Sequence, residues 1–376
     1  MGFGELLLIL LAFGGFGVKA NPNAPTHQQV ARYAVDDADA LVFIDLEAVV
    51  PHNWDYFVKL PSDPTIKSVP ALAGELGKAI KQVEDGRAMI RAQLGMDLVT
   101  DLKWGAIWIR LKAKGEPDFL AVGAGKFPAD FIDKGAAMGK KKVTKLDGKS
   151  VLEEDNTLAG LSGDGMFVFG TPALVKPRLA ASWKGANKAG SVTDRAGEFF
   201  ADRPFFVAAF RPSPVMVKTA GLELNDTDEL LVRDFVVGHE FFGMLMTANS
   251  FGWTSVLRTP GGYGRALMAS EGTIQLIRAG HLFLRGITQV FLASIDSFVS
   301  ADPSIAKVIK HKADLLKLVN SWTGDGNFAV KLDKDEPKRR VAVRLTGKTL
   351  AEVFPVGALI VPGAAAALWM IPRAAP

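Results

Sequence analysis

A run of small and polar residues, Lys184-Gly185-Ala186-Asn187-Lys188-Ala189-Gly190-Ser191, falls near the middle of the chain, with patterned apolar sequence on both sides of it. So few apolar side chains cannot fill a core strand or helix, so each side is expected to bury its own apolar residues. This predicts a first unit over residues 21–183, a linker over 184–192 and a second unit over 193–350. The chain has no cysteine. Disulfides, thiolate metal sites and thiol nucleophiles are therefore excluded, and cohesion must come from packing alone. A chain of 376 residues is long enough to support two modest cores without covalent cross-links.

The first unit opens with Ala40-Leu41-Val42-Phe43-Ile44-Asp45-Leu46, the signature of a buried strand. From Pro70 to Leu94, residues Leu72, Leu76, Ala79, Ile80, Val83, Ile90 and Leu94 recur at intervals of three and four, and Gly95 is placed to stop the helix they predict. Two strands, Trp104 to Leu111 and Asp118 to Ala124, form a hairpin across Lys112–Pro117. A short helix near Ala129 to Met138 follows, then strands around Val143, Val151, Leu158 and Met166–Phe169, and a last helix from Ala173 to Trp183.

The second unit repeats this grammar. Pro204–Phe210 parallels the opening strand, a helix from Asp228 to about Thr247 parallels the first long helix, and Phe251–Arg258 takes the place of Trp104–Arg110. Pro303 to Val319 reads as an amphipathic helix whose lysines face solvent. Phe328–Leu332 and Val341–Leu345 alternate apolar and polar residues across Asp333–Pro337, the pattern of a hairpin with one wet face. The expected fold class is α+β: two similar mixed strand–helix domains with mostly antiparallel sheets, consistent with an internal duplication.

The ends carry a different message. Leu6 to Val18 is a run of thirteen uncharged residues, the length of a secretory apolar region and short of the roughly 20 that span a bilayer as a helix. Val18 and Ala20 supply the small residues that a signal peptidase accepts, which places cleavage between Ala20 and Asn21. Against this, no basic side chain precedes the run and Lys19 follows it, an arrangement that favours a retained anchor with a cytoplasmic domain. Within the apolar C-terminal segment, residues 351–376, Phe354 to Ile371 is uncharged but interrupted by Pro355 and Pro362. It is read as a last strand and helix of the second core, with a tail anchor as the alternative.

Two resemblances rest on these residues. Gly4–Leu11, with Glu5, then Phe16-Gly17, Lys19 and Pro22, resembles the N-terminal stem of the small subunits of the twin-arginine translocase. Only the membrane-inserting character of that stem is implied. Gly95–Leu98 with Asp101-Leu102, Phe119–Phe127 and Met166–Gly170 resemble an uncharacterised group of bacterial exported two-unit α/β proteins over residues 40–183. That resemblance implies an exported α+β architecture.

Motifs with known chemistry break off before completion. His239-Glu240 begins a zincin helix motif, but position 243 is Gly. Gly160-Leu161-Ser162-Gly163-Asp164 departs from a nucleophile elbow at its last position and reads as a turn. Gly123–Lys126 lacks the earlier glycine and the hydroxyl of a P-loop and reads as a glycine turn with a solvated Lys. The acidic group Glu223, Asp226, Asp228 and Glu229 has no calcium-loop glycine, and Gly261-Gly262-Tyr263-Gly264 reads as a permissive turn. The five histidines His27, His52, His239, His281 and His311 stand singly.

No catalytic, metal or cofactor residue is assigned. A formal charge of +4, with basic clusters only at Lys140–Lys142 and Lys338–Arg340, argues against nucleic acid. The expectation is an exported cell-envelope protein acting as a non-enzymatic binding or structural module, its partner an envelope protein or the membrane surface. The alternatives are a periplasmic hydrolase whose site is assembled only by folding, and a membrane-anchored component with a cytoplasmic domain.

Overall fold

The computed structural model describes residues 18, 20–62, 67, 70–180, 183, 185, 187–213, 215, 238–301 and 328–347. The expected helix over 303–319, the acidic group at 223–229 and both apolar ends, 1–17 and 351–376, lie outside these residues. Among the described residues no helix is long and apolar enough to cross a membrane.

Seven helices and twelve strands are described. The helices are α1 (His27–Ala31), α2 (Leu46–Lys59), α3 (Pro70–Leu94), α4 (Phe131–Gly139), α5 (Pro172–Leu179), α6 (Val192–Phe200) and α7 (Pro260–Ala301). The strands of the first half are β1 (Ala40–Asp45), β2 (Leu102–Arg110), β3 (Asp118–Gly125), β4 (Val143–Leu146), β5 (Lys149–Glu154), β6 (Thr157–Leu161) and β7 (Phe167–Gly170). Those of the second are β8 (Phe206–Phe210), β9 (His239–Thr247), β10 (Ser250–Leu257), β11 (Phe328–Asp335) and β12 (Arg340–Gly347). The fold is α+β, and every described strand pairing is antiparallel.

All twelve strands belong to one sheet, ordered β11-β12-β10-β9-β8-β1-β2-β3-β7-β6-β5-β4. The seam between the halves is the β1·β8 pair, in which Ala40 faces Phe210 and Ile44 faces Phe206. Moving outward from the seam, both arms carry the same order. One reads β1-β2-β3-β7-β6 and the other β8-β9-β10-β12-β11, each a strand, a hairpin, and a second hairpin whose later strand pairs back onto the first. A helix, α4 or α7, bridges the two hairpins in each arm. The first arm adds β4 and β5, joined by Asp147-Gly148, both at positive φ as a tight hairpin turn requires.

Two expectations about the second half are corrected. The predicted helix from Asp228 to Thr247 is, over its described part, strand β9 apart from Gly238. In His239–Thr247 the apolar residues are nearly continuous, and the alternation of Phe241, Gly243 and Leu245 with Phe242, Met244 and Met246 wins because β8 and β10 offer partners on both sides. The strand at Phe251–Arg258 exists as β10, but its place in the order matches β3; the counterpart of β2 is β9. Helices α1, α2, α6 and α7 had no counterpart in the sequence reading: Pro51 lies inside α2, and the glycines of Gly261–Gly264 lie in the first turns of α7.

The sheet is covered on both faces. Under α1, α5 and α6 lies a single apolar cluster that runs through the seam, from Leu41, Trp104 and Trp108 in the first half to Val207, Phe241 and Leu245 in the second. On the other face, α2, α3 and α4, with Phe131 opening α4, pack over Leu102 of β2 and Phe167 of β7, while α7 covers Val343 and Leu345 through Ile274 and Ile277. The stretch expected as a linker is pinned to the first half: Lys188 N donates to Asp36 Oδ1 at 2.9 Å, and Val192 already opens α6. Trp108, fully buried, donates from Nε1 to Thr193 Oγ1 of α6 at 2.9 Å, and His27 Nε2 meets Thr193 O at 2.9 Å.

Candidate functional site: an arginine-lined recess

Where β8 ends, β9 begins and β10 ends, their residues meet the first turn of α6 around a recess of about 220 Å³. Gly190, Val192, Arg195, Arg211, Glu240, Phe241 and Arg258 line it. The local reasons are simple. Ser191 caps α6, its Oγ accepting from Asp194 N at 3.1 Å, and the helix then presents Arg195 one turn in. Arg211 follows the last residue of β8, and its backbone N–H donates to Asp39 O at 2.7 Å, fixing the strand end against the first half. Arg258 follows β10, where the register shifts at Val256/Leu257.

The charges are unevenly matched. Arg195 Nη2 is bonded to Glu240 Oε1, and this bond, outweighing burial and aided by Arg258 and Arg339, holds the Glu240 carboxyl below its usual range. Arg258 pairs with no carboxylate among the described residues: its Nε donates to His239 O at 3.0 Å and its Nη2 to Pro212 O at 3.1 Å. Arg211 makes no side-chain hydrogen bond or ion pair with a described residue; its charge is felt by Asp39, whose carboxyl burial pushes up. Arg339 brings a fourth guanidinium nearby, Nη1 donating to Arg258 O at 2.7 Å. Three guanidiniums facing one carboxylate make a receptor for an anion, because planar N–H forks match carboxylate and phosphate oxygens.

The motifs inspected in the sequence lie elsewhere. Ser162 is buried in the turn after β6, as a turn was expected there; its Oγ donates to Asp164 Oδ1 at 2.5 Å and accepts from Tyr33 Oη at 3.0 Å. Tyr33 also donates to Asp164, Arg32 pairs with the same carboxylate at 2.9 Å, and burial raises the Tyr33 hydroxyl above its ordinary range. That network fastens α1 to the β6–β7 turn. Gly123 and Gly125 are corrected from a turn to part of strand β3, and Lys126 pairs with Asp101 at 3.4 Å. Gly261–Gly264 is likewise corrected from a turn to a helix start.

At the expected cleavage point Ala20 is exposed, and Asn21 Nδ2 donates to Asp45 Oδ2 at 2.9 Å and to Glu47 Oε2 at 3.3 Å, at the start of α2. Neither residue reaches the recess lining. Among the described residues no three His, Asp or Glu side chains gather where they could share a metal ion. The charged recess residues escaped sequence reasoning because Arg195, Arg211, Glu240 and Arg258 follow one another at intervals of 16, 29 and 18 positions and share no motif; Glu240 had drawn attention for a helical zincin motif, but it stands in strand β9.

No family model and no curated protein matches the chain. Solved structures of TP0453 are similar at the level of weak overall shape. Its crystal form I matches at 9% identity and TM-score 0.34, over 88% of this chain and 96% of that one. Crystal form III matches at 10% identity and TM-score 0.34, covering 64% and 81% of the respective chains.

Proposed function

We propose that the chain is an exported cell-envelope protein that works as a non-enzymatic binding module, with the arginine recess as its docking point. The observation that carries the reading is that recess: Arg195, Arg211 and Arg258 around Glu240, a charge pattern suited to holding an anion. Two residues with catalytic potential are already committed to architecture, Ser162 to Tyr33 and Asp164, and His27 to Thr193 O and the Phe200 ring at 5.7 Å. The secretory pattern of Leu6–Ala20 supports the envelope as the place of work.

The test is fractionation of cells expressing the full chain, with intact mass read on each fraction. A species starting at Asn21 in the osmotic-shock fluid is the expected result. Full-length protein with Met1 retained, protected from protease added to spheroplasts, would contradict the reading.

A further inference from the structure

The identity of the anion follows from the recess, and this step rests on the binding-module reading above. We propose that the recess takes a dianionic phosphate group, and that Glu240 is a resident anion which the phosphate displaces from Arg195.

Among the described lining side chains, three are cationic and one is anionic, which leaves two positive charges to be met there. A carboxylate would cancel one of them; a phosphate monoester at neutral pH cancels about two. The carbonyls that Arg258 already uses do not alter this balance, and the carboxylates of Asp194 and Asp39, which keep their charge when a backbone N–H bonds them, stand outside the described lining. The oxygens that Arg258 reaches are backbone carbonyls, which satisfy hydrogen bonds without cancelling charge. Asp194, one residue before Arg195, has its Oδ2 taken by Gly190 N at 2.8 Å. Asp39 acts on Arg211 from the seam side, and its carboxylate oxygen is held by Leu111 N at 2.8 Å.

Shape points the same way. The three guanidiniums come from separate elements, α6 and the ends of β8 and β10. Arg258, with Nε and Nη2 given to backbone carbonyls, has Nη1 left to offer. N–H groups converging from three elements suit the three oxygens of a phosphate better than the two coplanar oxygens of a carboxylate. The volume, about 220 Å³, leaves room for a substituent on the phosphate. A nucleic-acid backbone fits poorly, because the next cations along β12 are already paired: Arg340 with Glu198 and Asp333, both at 3.1 Å, and Arg344 with Asp202 at 2.8 Å. The recess thus suits a single phosphate, since among the described residues no stripe of unpaired cations continues along β12 as a polyanion needs.

Glu240 gives the site a built-in threshold. Its bond to Arg195 must open before all three guanidiniums can turn to a ligand, so a singly charged competitor gains little by entering.

The experiment is titration calorimetry of the full chain with inorganic phosphate and, separately, acetate, at constant ionic strength and at a pH where phosphate is mostly dianionic. Phosphate is expected to bind at least about tenfold more tightly than acetate. Arg211→Ala and Arg258→Ala should each weaken phosphate by about tenfold or more with the circular dichroism spectrum unchanged, and Glu240→Gln should tighten it several-fold, on the order of the loss of one competing charge. Equal affinity for acetate, or phosphate affinity untouched by both arginine variants, would overturn the proposal. Sedimentation with phosphatidylcholine vesicles containing phosphatidic acid separates the sources: capture lost in Arg211→Ala identifies a lipid headgroup, and phosphate binding without capture identifies a soluble ester. A chain recovered from the envelope that ignores phosphate sinks this inference alone. A cytoplasmic chain that binds phosphate sinks only the envelope reading.

Discussion

Arg178 shows how a single residue can organise its surroundings without an ion pair to any described residue. It is 6% exposed, yet its guanidinium meets only carbonyls: Tyr33 O at 3.1 Å through Nε, Leu174 O at 2.6 Å through Nη1, and Ala34 O through Nη2. Burial lowers its pKa to about 10, which still leaves it charged at neutral pH, and the Trp183 ring lies over it at 4.7 Å. Replacing it with Met would strand three buried carbonyls. Arg178→Met is therefore expected to cost about 2–4 kcal/mol in denaturant unfolding; an unchanged midpoint would refute the role. Gly170 is a second such position. At φ 149 it ends β7, and a Cβ there would stand 2.1 Å from Phe119 O. Gly170→Ala should lower stability by about 3 kcal/mol, measured the same way, since backbone and not a flexible side chain blocks the space. Neither residue was legible in the sequence. The partners of Arg178 lie up to 145 positions away, and nothing about an isolated Arg announces a cage of carbonyls.

At the scale of elements, period and punctuation decided what could be read ahead. Helix α3 begins and ends at the predicted Pro70 and Leu94 because its apolar residues recur at helical spacing and Gly95, at φ 74, is free to reverse the chain. The β2–β3 and β11–β12 hairpins were equally plain, since alternation survives wherever one face is wet. Helix α2 hid behind Pro51, and β9 behind a run apolar enough to fit either period. What starts α2 is Asp45, 1% exposed, whose Oδ1 accepts from Ala48 N at 3.1 Å and whose carboxylate also receives Asn21. Burial outweighs these bonds and raises its pKa above 3.8. A raised carboxyl takes up its proton more readily in the folded state, so its charge costs stability in full above the folded pKa, and the cost vanishes below about 3.8. Asp45→Asn keeps an acceptor for the cap and removes that cost. Its thermal midpoint should match or exceed that of the parent at neutral pH and lose the advantage as the pH falls, whereas Asp45→Ala should lose about 1 kcal/mol by forfeiting the cap. Parallel pH curves for parent and Asp45→Asn would contradict the assignment.

For the whole molecule, the apolar cluster that crosses the β1·β8 seam binds the two halves into one thermodynamic unit. Calorimetry is expected to show a single unfolding transition, and two well-separated peaks would disprove the coupling. Acid should end that cooperativity in a defined window. Burial pushes the Asp97 and Asp118 carboxyls up, but the bonds from Arg87 to Asp97, and from Lys112 and Arg110 to Asp118, prevail and hold both below 3.8. Carboxyls depressed by folding contribute their full stability above the unfolded pKa and surrender it as pH falls through the folded value. The melting temperature should therefore hold through mildly acidic conditions and drop below about pH 4; Asp97→Asn should shallow the drop, and an unaltered slope would count against it. The sequence foretold two similar halves, but it did not foretell that they would share a sheet, since which strand edges meet is settled by pairing and not by pattern.

That shared seam also bears on self-association. Cut from its neighbour, either half would present β1 or β8 as a bare border, and an antiparallel border can zip onto an identical copy turned half a revolution. In the whole chain each border is consumed by the other, so neither β1 nor β8 is left open to a second copy.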